Sequence, residues 1–555
     1  MVFSITISTV SVLLIFSVLW WSFGWSFEAW GMIVDGTTRI MLVWTAFFAW
    51  IVSLYARGYF TSEHRSYPFY VLALFSLGMT FFTFLADNMV LLAIGWGLLG
   101  VLLYLMVGLA GNKAKETAKK TFIMVGGSDI FLILGLVILY TITKTVNLSS
   151  AKVLLDSPMA YLSFTLIFIG AFAKAGVFPF HSWLPDACQY SYVPVTAFLP
   201  LSLDKLLGIY LMIRLVGNIF TLNFATVVIM MSLGCLCIFA GVLMALIQHD
   251  LRRLLGYHAI SQVGYMVLGL GTGTMMGMIG AIYHMMNHTV YKTLLFISGG
   301  MIEKECKTTD LDKLGGLIKV LPITFSLMLI ASLAISGVFP LNGYFSKHVI
   351  LHGILYTEKY YNVNFWHIFW LLASLGGLLT LSSFVKVIYA LFIEKPCQSW
   401  NNIKENNGWM LIPMILLASL CVLLGLTAET WTNSSFLFHV FNKETKIHFN
   451  MLEGFVYLFL YSLLIVFLVN LLKRHARTCQ TRGIQIFEKV RNCKGLKRMY
   501  DWSESHYMDL YDIGRRGIAG ASAVIRSLHT GILPSYVFWF LIGALIFTLY
   551  YFRIF

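Results

Sequence analysis

Apolar windows of about 20 residues, the length an α-helix needs to cross a bilayer, recur along almost the whole chain. They start near Ile5, Ile40, Val71, Asn88, Thr121, Leu162, Thr196, Asn223, Tyr257, Gly277, Pro322, Phe365, Met410, Gly454 and Tyr536. The pattern predicts an all-α, polytopic membrane protein with about 15 transmembrane helices. Two windows are interrupted at membrane depth. The first, AFAKAGVFPFHSWLPDA at 171–187, breaks at Gly176 and Pro179 with Lys174 just before the break; the second, ISGVFPLNGYFSKHVIL at 335–351, breaks at Gly337 and Pro340 with Lys347 close by. Proline removes a backbone donor, and carbonyls freed at that depth are tolerated only against other protein or a water-filled cavity. Both breaks therefore line something wet. The second broken window is the fifth after the first, with four spans between them, so the two broken helices run in opposite directions, the sign of inverted repeats.

The pattern divides the chain into N-terminal helices (1–66), a first five-helix repeat (67–216), a second (217–393) and peripheral helices (394–472). An amphipathic segment, cytoplasmic or lateral (473–533), and a C-terminal transmembrane anchor (534–555) follow. The first apolar run, at 5–21, lacks a basic flank and a small-residue cleavage site, so it reads as a retained span.

Composition agrees: 59% of the 555 residues are hydrophobic, 12% are charged and the mean hydropathy is +0.79, values that no soluble globular domain sustains. The net charge of +14 raises the question of nucleic acid, but most of the basic loop residues sit in every second loop, the intervening loops being nearly bare of them. They are Arg57 and Arg65; Lys113, Lys115, Lys119 and Lys120; Arg252 and Arg253; Lys304, Lys307, Lys313 and Lys319; Lys395 and Lys404; and the basic residues of 473–526. That alternation is topological, not a nucleic-acid surface. It predicts an N-terminus on the cytoplasmic side of an energy-coupling membrane, such as the cytoplasmic membrane, and basic contacts with lipid. The eight cysteines are scattered; Cys235 and Cys237 read as helix packing, and no pair has zinc spacing. The Asn-x-Ser/Thr triplets at Asn147, Asn287 and Asn433 read as chance matches.

Ionisable residues inside apolar windows are expensive, about 2.5–3.5 kcal/mol each at a helix centre, and are functional candidates by default. Besides Lys174 and Lys347, they are Asp129, Lys205 and the run His284, His288 and Lys292. The spacing i, i+4, i+8 stacks the last three on one helix face about 12 Å long, and histidines titrate near neutrality, as a proton relay requires. Asp204 lies about 100° around the helix from Lys205, so the two are not automatically a pair. His181, Asp250, Arg253, His258 and Lys386 are candidate interfacial groups, as are Asp35 and Arg39.

Several motifs jointly resemble the antiporter-like subunits shared by respiratory complex I, multisubunit sodium/proton antiporters and membrane-bound energy-converting hydrogenases. They are DGTTRIML, FLADNMVLLAIGW, HSWLPDA with PVTA and LDKLLGIY, DLRRLLGYHAISQVGYM, YHMMNHTVYKTLLFISGGMI and GYFSKHVIL. The resemblance is greatest to the large distal type with an extended C-terminus. It implies a 14-helix-like core in which lysines, histidines and acids exchange protons along a lateral water wire. Lys174 resembles the lysine of the first broken helix, Lys205 its partner, His284, His288 and Lys292 the connecting file, and Lys347 the exit residue. Two departures stand out. The family usually carries Trp-Glu where this chain has Trp96-Gly97, so the acid expected near Lys174 is missing; and there is one N-terminal span fewer than in the large distal type.

The expected function is translocation of protons, or of sodium, driven by a redox module in other subunits. The chain itself would have no redox centre, no cofactor and no nucleotide site. Its partners would be other membrane subunits, antiporter-like paralogues among them. The alternatives are the membrane component of an ion-coupled inorganic-carbon uptake system and a scaffold that has lost activity with the acid at position 97.

Overall fold

The computed structural model describes residues 27–555, apart from 61–62, 362–365, 397–399, 401–402, 404, 406, 433–446, 476–490, 506–508, 529–530, 532 and 555. The first apolar run, Lys404, Asn433 and part of the 473–533 segment lie outside the described residues. Two compact units are present, residues 1–497 and 498–555.

In the first unit a short hairpin, β1 (Phe27–Ala29) and β2 (Met32–Val34), leads into α1 (Gly36–Tyr59). There follow α2 (Glu63–Leu85), α3 (Met89–Val107), α4 (Asn112–Thr143), α5 (Pro158–Ala175), two short helices α6 (Trp183–Tyr190) and α7 (Val193–Phe198), and α8 (Asp204–Arg214). Next come α9 (Phe224–Ile247), α10 (Leu251–Gly271), α11 (Met275–Cys306), α12 (Pro322–Ser336), α13 (Asn342–Tyr361) and α14 (His367–Ile388). Then α15 (Gly408–Leu426), α16 (Ala428–Thr432) and α17 (Met451–His475) complete the larger helices of this unit. A helix at Lys494–Glu504 (α18) precedes α19 (Leu510–Leu528) and α20 (Leu533–Ile554), the last two belonging to the second unit.

Ten described helices are long and apolar enough to cross a membrane. The long helices α10, α11 and α13 are less apolar, because they carry the polar side chains of the interior. The outer helices show the converse. On α3, Val90, Ile94, Leu98, Val101 and Leu105 form an exposed stripe while Leu92, Trp96, Leu99 and Leu103 are buried, which is how a helix apolar on all sides meets lipid with one face and protein with the other.

The two halves repeat one another in detail. Asn88 caps the start of α3 through Val90 N, and Asp250 caps α10 through Arg253 N. The helices after them, α4 and α11, are each 32 residues long and end on a left-handed lysine, Lys144 at φ 56° and Lys307 at φ 60°. Three residues on, Asn147 bridges back to Asn88 and Asp310 to Asp250. Both repeats also finish on a π-helical turn, Leu215–Ile219 after α8 and Tyr389–Ile393 after α14. Packing matches: α3 on α4, α4 on α5 and α5 on α8 correspond to α10 on α11, α11 on α12 and α12 on α14. Because α4 begins in the basic segment containing Lys113 and Lys120, whereas α11 ends in the one containing Lys304 and Lys307, the two copies have opposite orientations relative to the basic side.

Each break is built the same way. Helix α5 stops at Gly176 (φ 75°) and α12 at Gly337 (φ 82°), left-handed conformations that glycine adopts without penalty. Val177 N then donates to Phe172 O (2.9 Å) and Gly176 N to Ala173 O; Val338 N donates to Leu333 O (3.1 Å) and Gly337 N to Ala334 O. This pair of bonds satisfies carbonyls that a helix end leaves open. Pro179 and Pro340 follow, both after cis peptide bonds.

Asp35, read as an interfacial anchor, instead joins distant elements. Its carboxylate caps α1 through Thr38 N (2.9 Å) and pairs with Arg214 at the end of α8, whose Nη2 donates to Thr38 Oγ1 (2.9 Å) and whose Nε donates to Tyr210 OH (3.0 Å). Replacing Arg214 by alanine strips these acceptors of their donor. An expected loss of about 2–4 kcal/mol follows, at the lower side of the usual range for a broken buried pair because Asp35 keeps 31% of its side chain exposed. Thermal unfolding in detergent would measure it, and an unchanged transition would refute the role.

Candidate ion pathway

The polar interior begins on α3. Trp96 is fully buried; its Nε1 donates to Asp129 Oδ1 on α4 (2.9 Å), and its carbonyl accepts from Lys174 Nζ on α5 (2.8 Å). The ammonium also lies 4.4 Å from the centroid of the Trp96 ring, a favourable cation–π distance. Lys174 is 0% exposed, so its charge needs nearby compensation. Two acids lie within its electrostatic reach, Asp204 on α8 and Asp129. A side chain at Gly97 would begin in open space, with nothing within 4 Å of its Cβ. The acid missing there is therefore matched by two carboxylates from other helices.

Lys205, next to Asp204, turns to α10, where Nζ donates to Ala259 O (3.1 Å). It lies within reach of Lys292 and His288 on α11. Lys292 donates to Leu255 O. The rings of His288 and His284 are 6.5 Å apart, so the i, i+4, i+8 file exists as its spacing predicts. The Nε2 atom of each histidine has no hydrogen-bond partner among the described residues. His284 Nδ1 meets Ser346 Oγ on α13 (2.9 Å), one residue before Lys347. Lys347 Nζ donates to Ile335 O (2.8 Å), near the end of α12, and lies 4.8 Å from the Tyr265 ring. The seven residues read as pathway candidates are all buried and fall in two groups, Asp129 and Lys174 on α4 and α5, and Lys205, Lys292, His288, His284 and Lys347 on α8, α11 and α13.

The residues read as interfacial divide. His258 and Lys386 lie in the interior, at 0% and 1% exposure. His258 Nε2 meets Ser383 Oγ (2.7 Å) and the ring is within reach of Lys292, Lys347 and Lys386. Lys386 donates to Leu246 O and Gln248 O (2.7 and 2.8 Å), the carbonyls at the end of α9. Asp250 is the cap of α10, and Arg253 bonds Gln189 and pairs with Asp186 (3.6 Å), which also holds Lys120 (2.9 Å). His181, in the turn after the first break, packs against Phe178.

The sequence pattern does not single out Asp204, Trp96, Tyr265 or Ser346 as pathway groups. An indole, a phenol and a hydroxyl are ordinary in an apolar window; Asp204 is visible but set apart by its angle from Lys205. Asn287 is buried and exchanges hydrogen bonds with Asn342 (3.1 and 3.2 Å), which ties α11 to the start of α13. Cys237 accepts from Phe178 N (3.3 Å) while Cys235 points to Phe369 O (3.9 Å). Among the described residues no group of three or more His, Cys, Asp or Glu side chains is placed to hold a metal ion.

Paired repeats with a lysine at each helix break, and buried ionisable groups in both, define a polytopic membrane protein of the transporter type. Residues 86–376 match the family described as NADH:quinone oxidoreductase/Mrp antiporter, transmembrane, and the chain belongs to that family. It is 32% identical over 408 residues to a Na(+)/H(+) antiporter subunit of Alkalihalophilus pseudofirmus, covering 72% of this chain and 80% of that one. It is 30% identical over 408 residues to a longer Na(+)/H(+) antiporter subunit of Staphylococcus epidermidis, covering 69% of this chain but 51% of the relative, so it spans about half of that protein. Its fold is similar to a chain of an archaeal respiratory membrane complex, the membrane-bound sulfane sulfur reductase, with a TM-score of 0.80, 21% identity, and coverage of 98% of this chain and 95% of that one.

Proposed function

We propose that this protein is an ion-translocating, antiporter-like subunit of a multi-subunit membrane redox complex, moving protons along the file of Asp129, Lys174, Lys205, Lys292, His288, His284 and Lys347. The observation that carries the reading is the set of buried ionisable groups, drawn from both repeats, that meets at α8, where Asp204 acts on Lys174 and its chain neighbour Lys205 is within reach of Lys292 and His288. Each group lies within electrostatic reach of another. In a medium that screens poorly, a proton gained at one site disfavours a proton at the next, so a change at one end propagates. Likeness to sodium/proton antiporter proteins supports ion movement, and likeness to a respiratory membrane complex supports a redox partner. The functional repeats are residues 67–216 and 217–393, with the N-terminus on the cytoplasmic side of the cytoplasmic membrane and neighbouring membrane subunits alongside.

Purifying the protein from its native membrane with its bound neighbours, then measuring ion uptake into proteoliposomes, tests the proposal. Iron–sulfur or hydrogenase-like subunits and redox-driven proton uptake are expected. A soluble zinc protein as the sole partner, with no redox-driven uptake, would replace the reading by carbon uptake.

A further inference from the structure

Lys174 and Lys205 belong to different neighbourhoods: the first bonds α3, the second α10. Asp204 acts on Lys174 and precedes Lys205 in the chain. It is 0% exposed, and neither Oδ1 nor Oδ2 has a hydrogen-bond partner among the described residues. An ionised carboxylate so placed is costly unless a charge compensates it or a proton neutralises it. The ionisable groups acting on it are Lys174 and Asp129. Of the two acids near Lys174, Asp129 is already engaged by the Trp96 indole (2.9 Å).

The backbone explains where Asp204 points. One turn later, Gly208 lies so close to α5 that a Cβ there would stand 2.8 Å from Ala175 Cβ and 2.9 Å from Ala171 O. Residues four apart share a helix face, so Asp204 is on the face of α8 turned to α5, the helix that carries Lys174. Its neighbour Lys205, about 100° around, addresses α10 instead. Two consecutive residues thus face the two halves of the file.

We infer that Asp204 is the proton-exchange partner of Lys174 and, with Lys205, the junction between the two halves of the pathway. This rests on the ion-translocating reading above. In the exchange the Lys174 ammonium gives one proton to the Asp204 carboxylate, leaving a neutral amine and a neutral acid. The pair carries no net charge before or after, so the transfer needs no accompanying ion. The neutral Asp204 acid then gives its proton to a neutral Lys205 amine, which restores the carboxylate and leaves an ammonium within reach of Lys292 and His288 on α11.

The test compares wild type, Asp204→Asn, Asp204→Glu and Lys347→Ala in proteoliposomes of the intact complex. Asp204→Asn is expected to lower translocation about a hundredfold with assembly intact, while Asp204→Glu, which keeps the acid, retains most of it. Equal activity of Asp204→Asn and wild type, with Lys347→Ala inactive, overturns the role of Asp204 alone; activity indifferent to all three overturns the translocation reading itself. Should Asp204→Asn fail to assemble, redox-difference infrared spectra of wild type and Asp204→Glu decide. A carboxylic-acid carbonyl band that shifts between them supports the exchange, and identical spectra refute it.

Discussion

Replacing Lys347 by alanine is expected to abolish ion translocation, by about two orders of magnitude or more, while electron transfer elsewhere in the complex continues. The reason is positional. Lys347 follows Ser346, the hydroxyl that meets His284 Nδ1 at 2.9 Å, and its ammonium sits at the second break on Ile335 O. No other lysine lies on α13 between its start and Lys359. Alanine leaves the Ile335 carbonyl without this donor, a loss of about 1–3 kcal/mol, modest beside the functional effect. Lys347→Arg separates charge from proton release, since arginine keeps the positive charge and the donors but stays protonated. It is expected to be inactive as well. Proteoliposome uptake with parallel assays of electron transfer checks both variants, and normal uptake by Lys347→Arg would show that only the fixed charge matters.

Gly343→Ala is expected to be damaging without touching any ionisable group. A Cβ at this position would fall 1.8 Å from Ala334 O and 2.8 Å from Ala334 C, so α13 cannot keep its place against the last turn of α12. Overpacking of this kind costs about 3 kcal/mol or more when backbone must move. Lys347 is one turn further along the same face and would be displaced from Ile335 O, so translocation falls with stability. Gly78→Ala is the control. Nothing lies within 4 Å of its added Cβ, and alanine favours a helix by about 0.5–1 kcal/mol over glycine. A lowered melting temperature for Gly343→Ala beside an unchanged or raised one for Gly78→Ala is the expected result; normal melting and uptake for Gly343→Ala would show that the break can open without consequence.

Both predictions concern the second break, which the sequence reveals for a sound reason. Glycine and proline inside an apolar run interrupt helices by local backbone chemistry, and a repeated GVFP is legible without knowing what packs around it. The same holds for the His284, His288 and Lys292 file, whose geometry is that of a single helix. His258 and Lys386 read differently because burial is a property of neighbours. Lys386 lies near a helix end, where snorkelling is ordinary, and only the position of α9 reveals that its ammonium closes on Leu246 O and Gln248 O.

The sequence by itself determined the membrane class, the two breaks, the repeat and the identities of the ionisable groups, because each follows from hydropathy, backbone restriction or helical periodicity within one segment. Tertiary structure alone decided how those groups connect. That Trp96 binds both Asp129 and Lys174, that Ser346, the residue before Lys347, meets His284, and that Asp204 faces α5 while Lys205 faces α10, all depend on contacts between helices tens of residues apart. Periodicity fixes the face of a helix on which a residue stands; only packing fixes what that face meets.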